Sequence, residues 1–106
     1  MGGALLFSGR PDPTWTVPSE VAENLLAVWS ELKPEDMKPP PAPPLGYRGA
    51  FLRDAGGREW LAYGRVVTFR SSGRAESRRD PDKRFENTLL DSAPKGSLPE
   101  LFLRSD

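Results

Sequence analysis

The chain has 106 residues, and its 15 basic and 15 acidic side chains cancel to a formal net charge of zero. Because it contains neither Cys nor His, disulfides, thiolate nucleophiles, Ser-His-Asp triads and Cys- or His-ligated metal centres are excluded. We expect no cofactor, and any catalysis would have to use carboxylates, Lys, Tyr, hydroxyls or a bound hard cation. The balanced charge gives the chain no overall attraction to nucleic acid or anionic lipid.

The length and composition predict a single domain over residues 1–106. The first nine residues lack the basic start and the long apolar run of a secretory signal, so we expect a cytoplasmic protein. Ala, Gly, Pro and Arg together make 42 residues, a bias that GC-rich codon usage produces. This composition indicates a bacterial source.

Two elements are predicted in the first third of the chain. The apolar run from Ala4 to Ser8 is too short for a helix and favours a buried strand. Residues 18–32 favour a helix, because Pro18 suits its first turn and apolar side chains recur at helical spacing. These side chains are Val21, Leu25, Val28, Trp29 and Leu32.

A proline-rich segment follows the predicted helix. Residues 33–44 hold six of the twelve prolines, a density that rules out a helix or a central strand. We predict an extended polyproline II connector inside the single domain, which would carry the chain from one layer to another.

A β-hairpin is predicted over residues 47–53 and 58–69, joined by a loop that contains Gly56 and Gly57. Gly64 interrupts the second strand and could mark a bulge, so the pattern leaves the inward face of that strand open. Residues 71–79 are polar and Arg-rich, and we predict a mobile loop there.

A second helix is predicted over residues 81–92, with Asp80 as its N-cap and Pro81 at its first position. The apolar tail at 98–103 could dock as a last strand or as a short turn. This order of elements predicts an α+β fold, in which two helices pack on a small antiparallel or mixed sheet that contains the N-terminal strand and the hairpin.

The loop that leads to Trp15 is the most distinctive candidate for recognition. Its two prolines restrict the backbone, so Arg10 and Asp12 would be held in fixed directions beside the Trp15 ring. The functional interpretation is a preorganised recognition loop. The alternative is a structural turn in which Trp15 covers the core.

Two short stretches resemble a known group. The sequence LFSGRPDPTW at 6–15 and the sequence LGYRG at 45–49 resemble a group of small bacterial proteins to which no activity is assigned. The resemblance implies no catalytic residue, but it suggests that Tyr47 and Arg48 lie near the first loop. The candidate binding residues are therefore Arg10, Asp12, Trp15, Tyr47 and Arg48.

Two alternative functions stay open. The segment from Arg48 to Arg84 contains ten basic and five acidic residues, which would suit an anion or nucleic-acid binder. Acids are interleaved with this basic run, so a solvated, self-paired surface is the simpler interpretation. A carboxylate-dependent enzyme would need acids that converge in three dimensions.

We therefore interpret the chain as a small non-catalytic binding or protein-interaction module with an unknown protein partner. We expect neither nucleic acid nor a membrane as its partner. Because an exposed hairpin edge can pair with a second copy of the same strand, the pattern also allows a homo-oligomer through a sheet edge.

Overall fold

The computed structural model describes residues 1–5, 13–34 and 48–94. Within these ranges the chain forms two helices and a seven-stranded sheet, which confirms the predicted α+β class. In chain order the elements are β1 (Gly2–Ala4), β2 (Thr14–Trp15), α1 (Ser19–Glu31), β3 (Lys33–Pro34), β4 (Ala50–Arg53), β5 (Glu59–Tyr63), β6 (Val66–Ser71), β7 (Arg74–Arg79) and α2 (Arg84–Asp91). Neither helix in the described ranges is long and apolar enough to cross a bilayer.

The first helix confirms the sequence prediction, since α1 lies within the predicted range 18–32. The Ala22 N–H donates to the Pro18 carbonyl at 2.9 Å, so Pro18 opens the first turn, where the N–H that it lacks would have no partner in the helix. The helix ends at Leu32, which adopts an extended conformation with φ −75° and ψ 145°.

The seven strands form one antiparallel sheet in the order β2-β1-β4-β5-β6-β7-β3. The hydrophobic core lies between one face of this sheet and the two helices. The sheet contributes Leu52, Trp60, Ala62 and Val67, and the helices contribute Leu25, Val28, Phe85 and Leu89. The sequence left the inward face of the 58–69 segment open, and the structure assigns it to Trp60 and Ala62 in β5 and Val67 in β6.

The predicted second strand of the hairpin is wrong in its extent, because residues 58–69 are divided between β5 and β6. Gly64 is not a bulge but part of a turn with Arg65, and both have positive φ, 61° and 65°. This left-handed pair gives the chain the twist that suits a two-residue hairpin. Val66 then pairs with Tyr63 across the turn.

The prediction of a mobile loop at 71–79 is also wrong, because β7 occupies most of that range. Ser72 and Gly73, with φ values of 49° and 79°, form a second tight turn that returns the chain along β6. The polar side chains of β7 make specific contacts: Arg78 lies 4.3 Å above the Trp29 ring and donates to the Trp29 carbonyl at 2.8 Å. A polar strand is stable here because it pairs with β6 along its whole length and because Arg78 packs on Trp29.

The N-terminal strand lies earlier than predicted. The sequence favoured residues 4–8, but β1 is Gly2–Ala4, and residues 6–8 lie outside the described ranges. Glycine is needed at this site because neighbouring side chains occupy the space of a Cβ: one added to Gly3 would overlap the Phe51 ring, and one added to Gly2 would lie 2.8 Å from Val17 Cγ2.

The second helix begins three residues later than the predicted range 81–92. The Lys83 N–H donates to the Asp80 carbonyl at 3.0 Å, which makes a separate turn of residues 80–83, and Lys83 has a left-handed φ of 57°. That conformation interrupts the helical path, so α2 starts at Arg84.

The proline-rich connector predicted at 33–44 is described only at its first two residues. Lys33 and Pro34 form β3, which pairs with β7 at the edge of the sheet, where a residue without an N–H is tolerated. The remainder of the connector and the tail at 98–103 lie outside the described residues.

The close contact between Gly3 and Phe51 predicts the effect of one substitution. Gly3→Ala forces the Phe51 ring to move in a packed environment, and we expect a loss of about 1–3 kcal/mol in the free energy of unfolding, measured by urea denaturation. The control is Gly56→Ala, because a Cβ there meets only Asp54 Oδ1, at an ordinary 3.5 Å. Equal stability of the two variants would contradict this packing.

Candidate functional site

Three separate parts of the chain meet at one end of β1. The Leu5 N–H donates to the Gly49 carbonyl at 2.8 Å, and the Arg48 N–H donates to the Leu5 carbonyl at 2.7 Å. On the other side of β1, the Ala4 N–H donates to the Pro13 carbonyl at 3.2 Å. We call the group of Leu5, Pro13 and Arg48 the anchor end.

The anchor end borders the two sequence stretches that hold the candidate binding residues, 6–15 and 45–49. Residues 6–12 begin after Leu5 and end before Pro13, and residues 35–47 end before Arg48. Three of the candidate binding residues, Arg10, Asp12 and Tyr47, lie outside the described residues. Of the candidates that are described, the backbone hydrogen bonds fix Arg48 at the anchor end, and its side chain is half-buried.

Trp15 lies in the core, 6% exposed. Its indole Nε1–H donates to Ser92 Oγ at 2.9 Å, and the Ser92 hydroxyl in turn donates to the Leu89 carbonyl at 2.6 Å. This chain of hydrogen bonds joins β2 to the last turn of α2. The contacts correspond to the structural alternative for Trp15, in which the ring covers the core.

Trp15 and Arg48 are not brought together. Trp15 is level with Gly2 at one end of β1, whereas Arg48 is bonded to Leu5 beyond the other end. Three residues of extended chain separate these levels, which corresponds to about 10 Å along the strand. A site at the anchor end would therefore be built without the indole.

Four of the nine arginines in the 48–84 segment are engaged with acids. Four ion pairs join basic side chains of this segment to acids: Arg53 with Glu59, Arg58 with Asp54, Arg78 with Glu76, and Arg84 with Glu31. Two of the pairs lie at the β4–β5 hairpin, one lies within β7, and one joins α2 to α1. Such pairing reduces the positive potential that a nucleic-acid backbone would need.

A cleft of about 390 Å³ opens where α1, β3, β7 and α2 meet. Charged residues dominate its walls, which contain three acids and three bases. The lining residues are Glu31, Leu32, Lys33, Arg79, Asp80, Pro81, Asp82 and Arg84. We call this the corner cleft, and its formal charge is zero.

Asp80 is the buried acid of the corner cleft, with a relative exposure of 1%. Its Oδ2 accepts hydrogen bonds from the N–H groups of Phe85 at 3.1 Å and Glu86 at 3.3 Å. The other oxygen, Oδ1, is buried and has no hydrogen-bond partner within the described ranges. The sequence placed Asp80 at the N-cap and Pro81 at the first helical position, and both placements are wrong, because Lys83 is the N-cap and α2 begins at Arg84. The Asp80 carboxylate nevertheless accepts hydrogen bonds from the first turn of α2.

Burial and hydrogen bonding act in opposite directions on the pKa of the Asp80 carboxyl. Burial raises the pKa of this carboxyl above its ordinary value, while hydrogen bonds from the backbone of residues 84–86 offset part of the rise. A raised pKa in a cleft is a common feature of catalytic acids. Here, however, Oδ1 is closed off from solvent and Oδ2 is committed to α2, so neither oxygen is positioned to meet a substrate.

The other acids of the cleft do not complete a reactive cluster. Glu31 pairs with Arg84, and Asp82 is exposed. Over residues 1–5, 13–34 and 48–94, no three acidic side chains come close enough together to hold a metal ion. The described part of the cleft therefore has the chemistry of a charged, solvated surface around a helix cap.

No protein-family model, no curated protein and no solved structure matches this chain.

The raised pKa of Asp80 predicts a pH dependence of stability. A carboxyl with a raised folded-state pKa binds its proton more tightly in the folded protein than in the unfolded one. Its contribution to the free energy of unfolding is therefore fully present below its ordinary pKa, and it is lost as the pH rises through the raised pKa. Asp80→Asn keeps an oxygen acceptor for α2 but removes the charge. We expect the free energy of unfolding of the wild type to fall relative to Asp80→Asn between acidic and neutral pH.

The matched control is Asp82→Asn, which makes the same change at an exposed neighbour, and it should follow the wild-type profile. Asp80→Ala removes the acceptor as well and should lose about 0.5–2 kcal/mol at all pH values. Parallel profiles of the wild type and Asp80→Asn would refute the assignment of the buried, charged group.

Proposed function

We propose that the protein is a small non-catalytic binding module, and that it recognises a protein partner through the surface around the anchor end. To this surface we assign Arg10, Asp12, Tyr47 and Arg48, of which Arg48 lies within the described residues. The observation that carries the proposal is the pair of hydrogen bonds made by Leu5, which join the start of one candidate segment to the end of the other.

The scaffold beneath this surface supports the proposal. Binding residues are often carried on loops that a rigid sheet holds in place, and here the supporting strands are β1, β2 and β4. Gly49 contributes to that rigidity: its φ is 124°, and a Cβ there would lie 3.0 Å from the Ala62 carbonyl oxygen. The chain is thus held tightly immediately beside Arg48.

The prolines of the first loop support the proposal in a second way. Arg10 and Asp12 each precede a proline in the sequence, and a residue before proline has fewer accessible backbone conformations than other residues. A loop with few accessible conformations loses less entropy on binding. Opposite charges at these two positions, together with Arg48, suit a partner surface that also carries both signs of charge.

The other functions have less support. An anion or nucleic-acid binder would need a concentrated positive surface, but four of the nine arginines in the 48–84 segment are neutralised by acids. A carboxylate-dependent enzyme would need an accessible acid, but the buried Asp80 caps a helix. A binding module requires neither feature.

The proposal predicts which substitutions abolish partner binding. The full chain is immobilised and incubated with a lysate of the source cells, and retained proteins are quantified by mass spectrometry. We expect Arg10→Ala/Arg48→Ala to reduce retention of the specific partner by about tenfold or more, which corresponds to at least ~1.4 kcal/mol. Arg53→Ala is the matched control, because Arg53 lies at the opposite end of β4.

A stability measurement and a second variant distinguish loss of binding from loss of folding. Urea denaturation shows whether the Arg48 substitution unfolds the protein, and Arg10→Ala alone serves as the second variant. Equal retention by the wild type, Arg53→Ala and the double variant would refute the proposed surface. Binding to mixed-sequence DNA that weakens steeply with salt would favour the nucleic-acid function instead.

A further inference from the structure

In the part of the chain that the structure describes, the outer edge of β7 is paired only at its C-terminal end. β3 pairs only with Arg78 and Arg79, so within residues 1–5, 13–34 and 48–94 no strand covers the outer side of residues 74–77. Arg74, Ala75 and Glu76 are exposed to solvent. An open strand edge of this kind is a template for pairing with another strand.

The hairpin geometry determines which backbone groups point outward. Because the turn has two residues, Ser71 and Arg74 form its first hydrogen-bonded pair. Alternate residues of β7 then direct their N–H and C=O groups to β6, and the residues between them direct theirs to the open edge. The outward set is Ala75, Ser77 and Arg79, of which Arg79 already pairs with Lys33.

The alternating direction of the backbone groups and the charges of the side chains together select one register for a symmetric pair of β7 strands. When two copies of β7 pair antiparallel about a two-fold axis, residues whose backbone groups point outward must lie opposite one another. The axis therefore passes beside a single residue of β7 and the same residue of the other copy. An axis at Arg74 or at Glu76 places like charges directly opposite each other. An axis at Ser77 would bring Ala75 against Arg79, where β3 already lies.

Only the axis at Ala75 avoids these conflicts. It places Ala75 opposite its copy as a hydrogen-bonded pair, and it places Arg74 opposite Glu76 of the other copy, twice. These two pairs occupy non-hydrogen-bonded positions, where opposing side chains are closest. Arg74 makes no ion pair within the described part of the chain, whereas Glu76 uses Oε2 for Arg78.

We propose that the protein forms a homodimer through the outer edge of β7, with two copies paired antiparallel about Ala75 and with reciprocal Arg74–Glu76 pairs. The two seven-stranded sheets would continue into one another. The assembly stops at two copies because the two-fold contact uses the same edge of both. The dimer is independent of the anchor end, since β7 lies on the opposite side of β4 and β5.

The first test measures the mass of the full chain in solution. Size-exclusion chromatography with light scattering, run over a wide range of protein concentrations, should show a shift from one chain to two. Ala75→Pro removes an outward N–H but leaves the hydrogen bonds to β6 intact, as an edge position permits. We expect this variant to stay monomeric, and Ala75→Thr, which keeps the N–H, to dimerise.

The second test uses charge complementarity. Arg74→Glu alone or Glu76→Arg alone places like charges opposite each other in both pairs, and each should raise the dimer dissociation constant by about tenfold or more. A mixture of the two variants restores both opposite-charge pairs and should form heterodimers, detected by native mass spectrometry. Circular dichroism checks that each variant is folded.

Three results would overturn the proposal. One is a wild-type mass that stays at one chain at the highest concentration, which would mean that the edge is covered or too weak to pair. Another is dimerisation of Ala75→Pro or of the single charge variants at wild-type affinity. The third is a mixture of folded charge variants that forms no heterodimer, because that outcome removes the register on which the proposal depends.

Discussion

The hydrogen bonds of Asp80 join three elements that would otherwise be independent. Its N–H donates to the Arg65 carbonyl at 2.8 Å, its carbonyl accepts from Lys83 at 3.0 Å, and its carboxylate caps the first turn of α2. The turn after β5, the end of β7 and the start of α2 are therefore fixed relative to one another. Phe85 follows directly and is fully buried. The cost of burying this carboxylate is offset only in part by the amide groups that donate to it, because its pKa stays raised.

The sheet that this junction stabilises separates the two proposed surfaces. The anchor end lies beside β1 and β4. The proposed dimer interface is the outer edge of β7, which lies four strand positions from β1. At a strand spacing of about 4.8 Å, the two surfaces are about 19 Å apart across the sheet. A partner at the anchor end and a second copy at β7 can therefore bind to the same molecule. Such an arrangement would present two recognition surfaces per dimer.

Local patterns predicted the helices much better than they predicted the strands. The repeat of apolar residues on α1 and the capping chemistry of Asp80 act over a few residues, so both can be recognised in the sequence. The strand β7 has six residues with four charges, and local composition therefore favoured a loop. The signals that would have identified it were the two turns, Gly64 with Arg65 and Ser72 with Gly73. Only a positive φ at Arg65 and Ser72 turns those pairs into hairpins, and neither residue type requires that conformation.

The sequence by itself determined the chemistry that this protein can use and the existence of its two helices. The absence of His and Cys needs no structure to interpret, and helical periodicity is a local property of the chain. Tertiary structure decided the rest, because it depends on contacts between distant residues: the Phe51 ring against Gly3, the Trp15 indole on Ser92, and Leu5 between Pro13 and Arg48. Those contacts placed Trp15 in the core and left Arg48 at the anchor end. The candidate site therefore became smaller, since the register of the sheet separates Trp15 from Arg48 along β1.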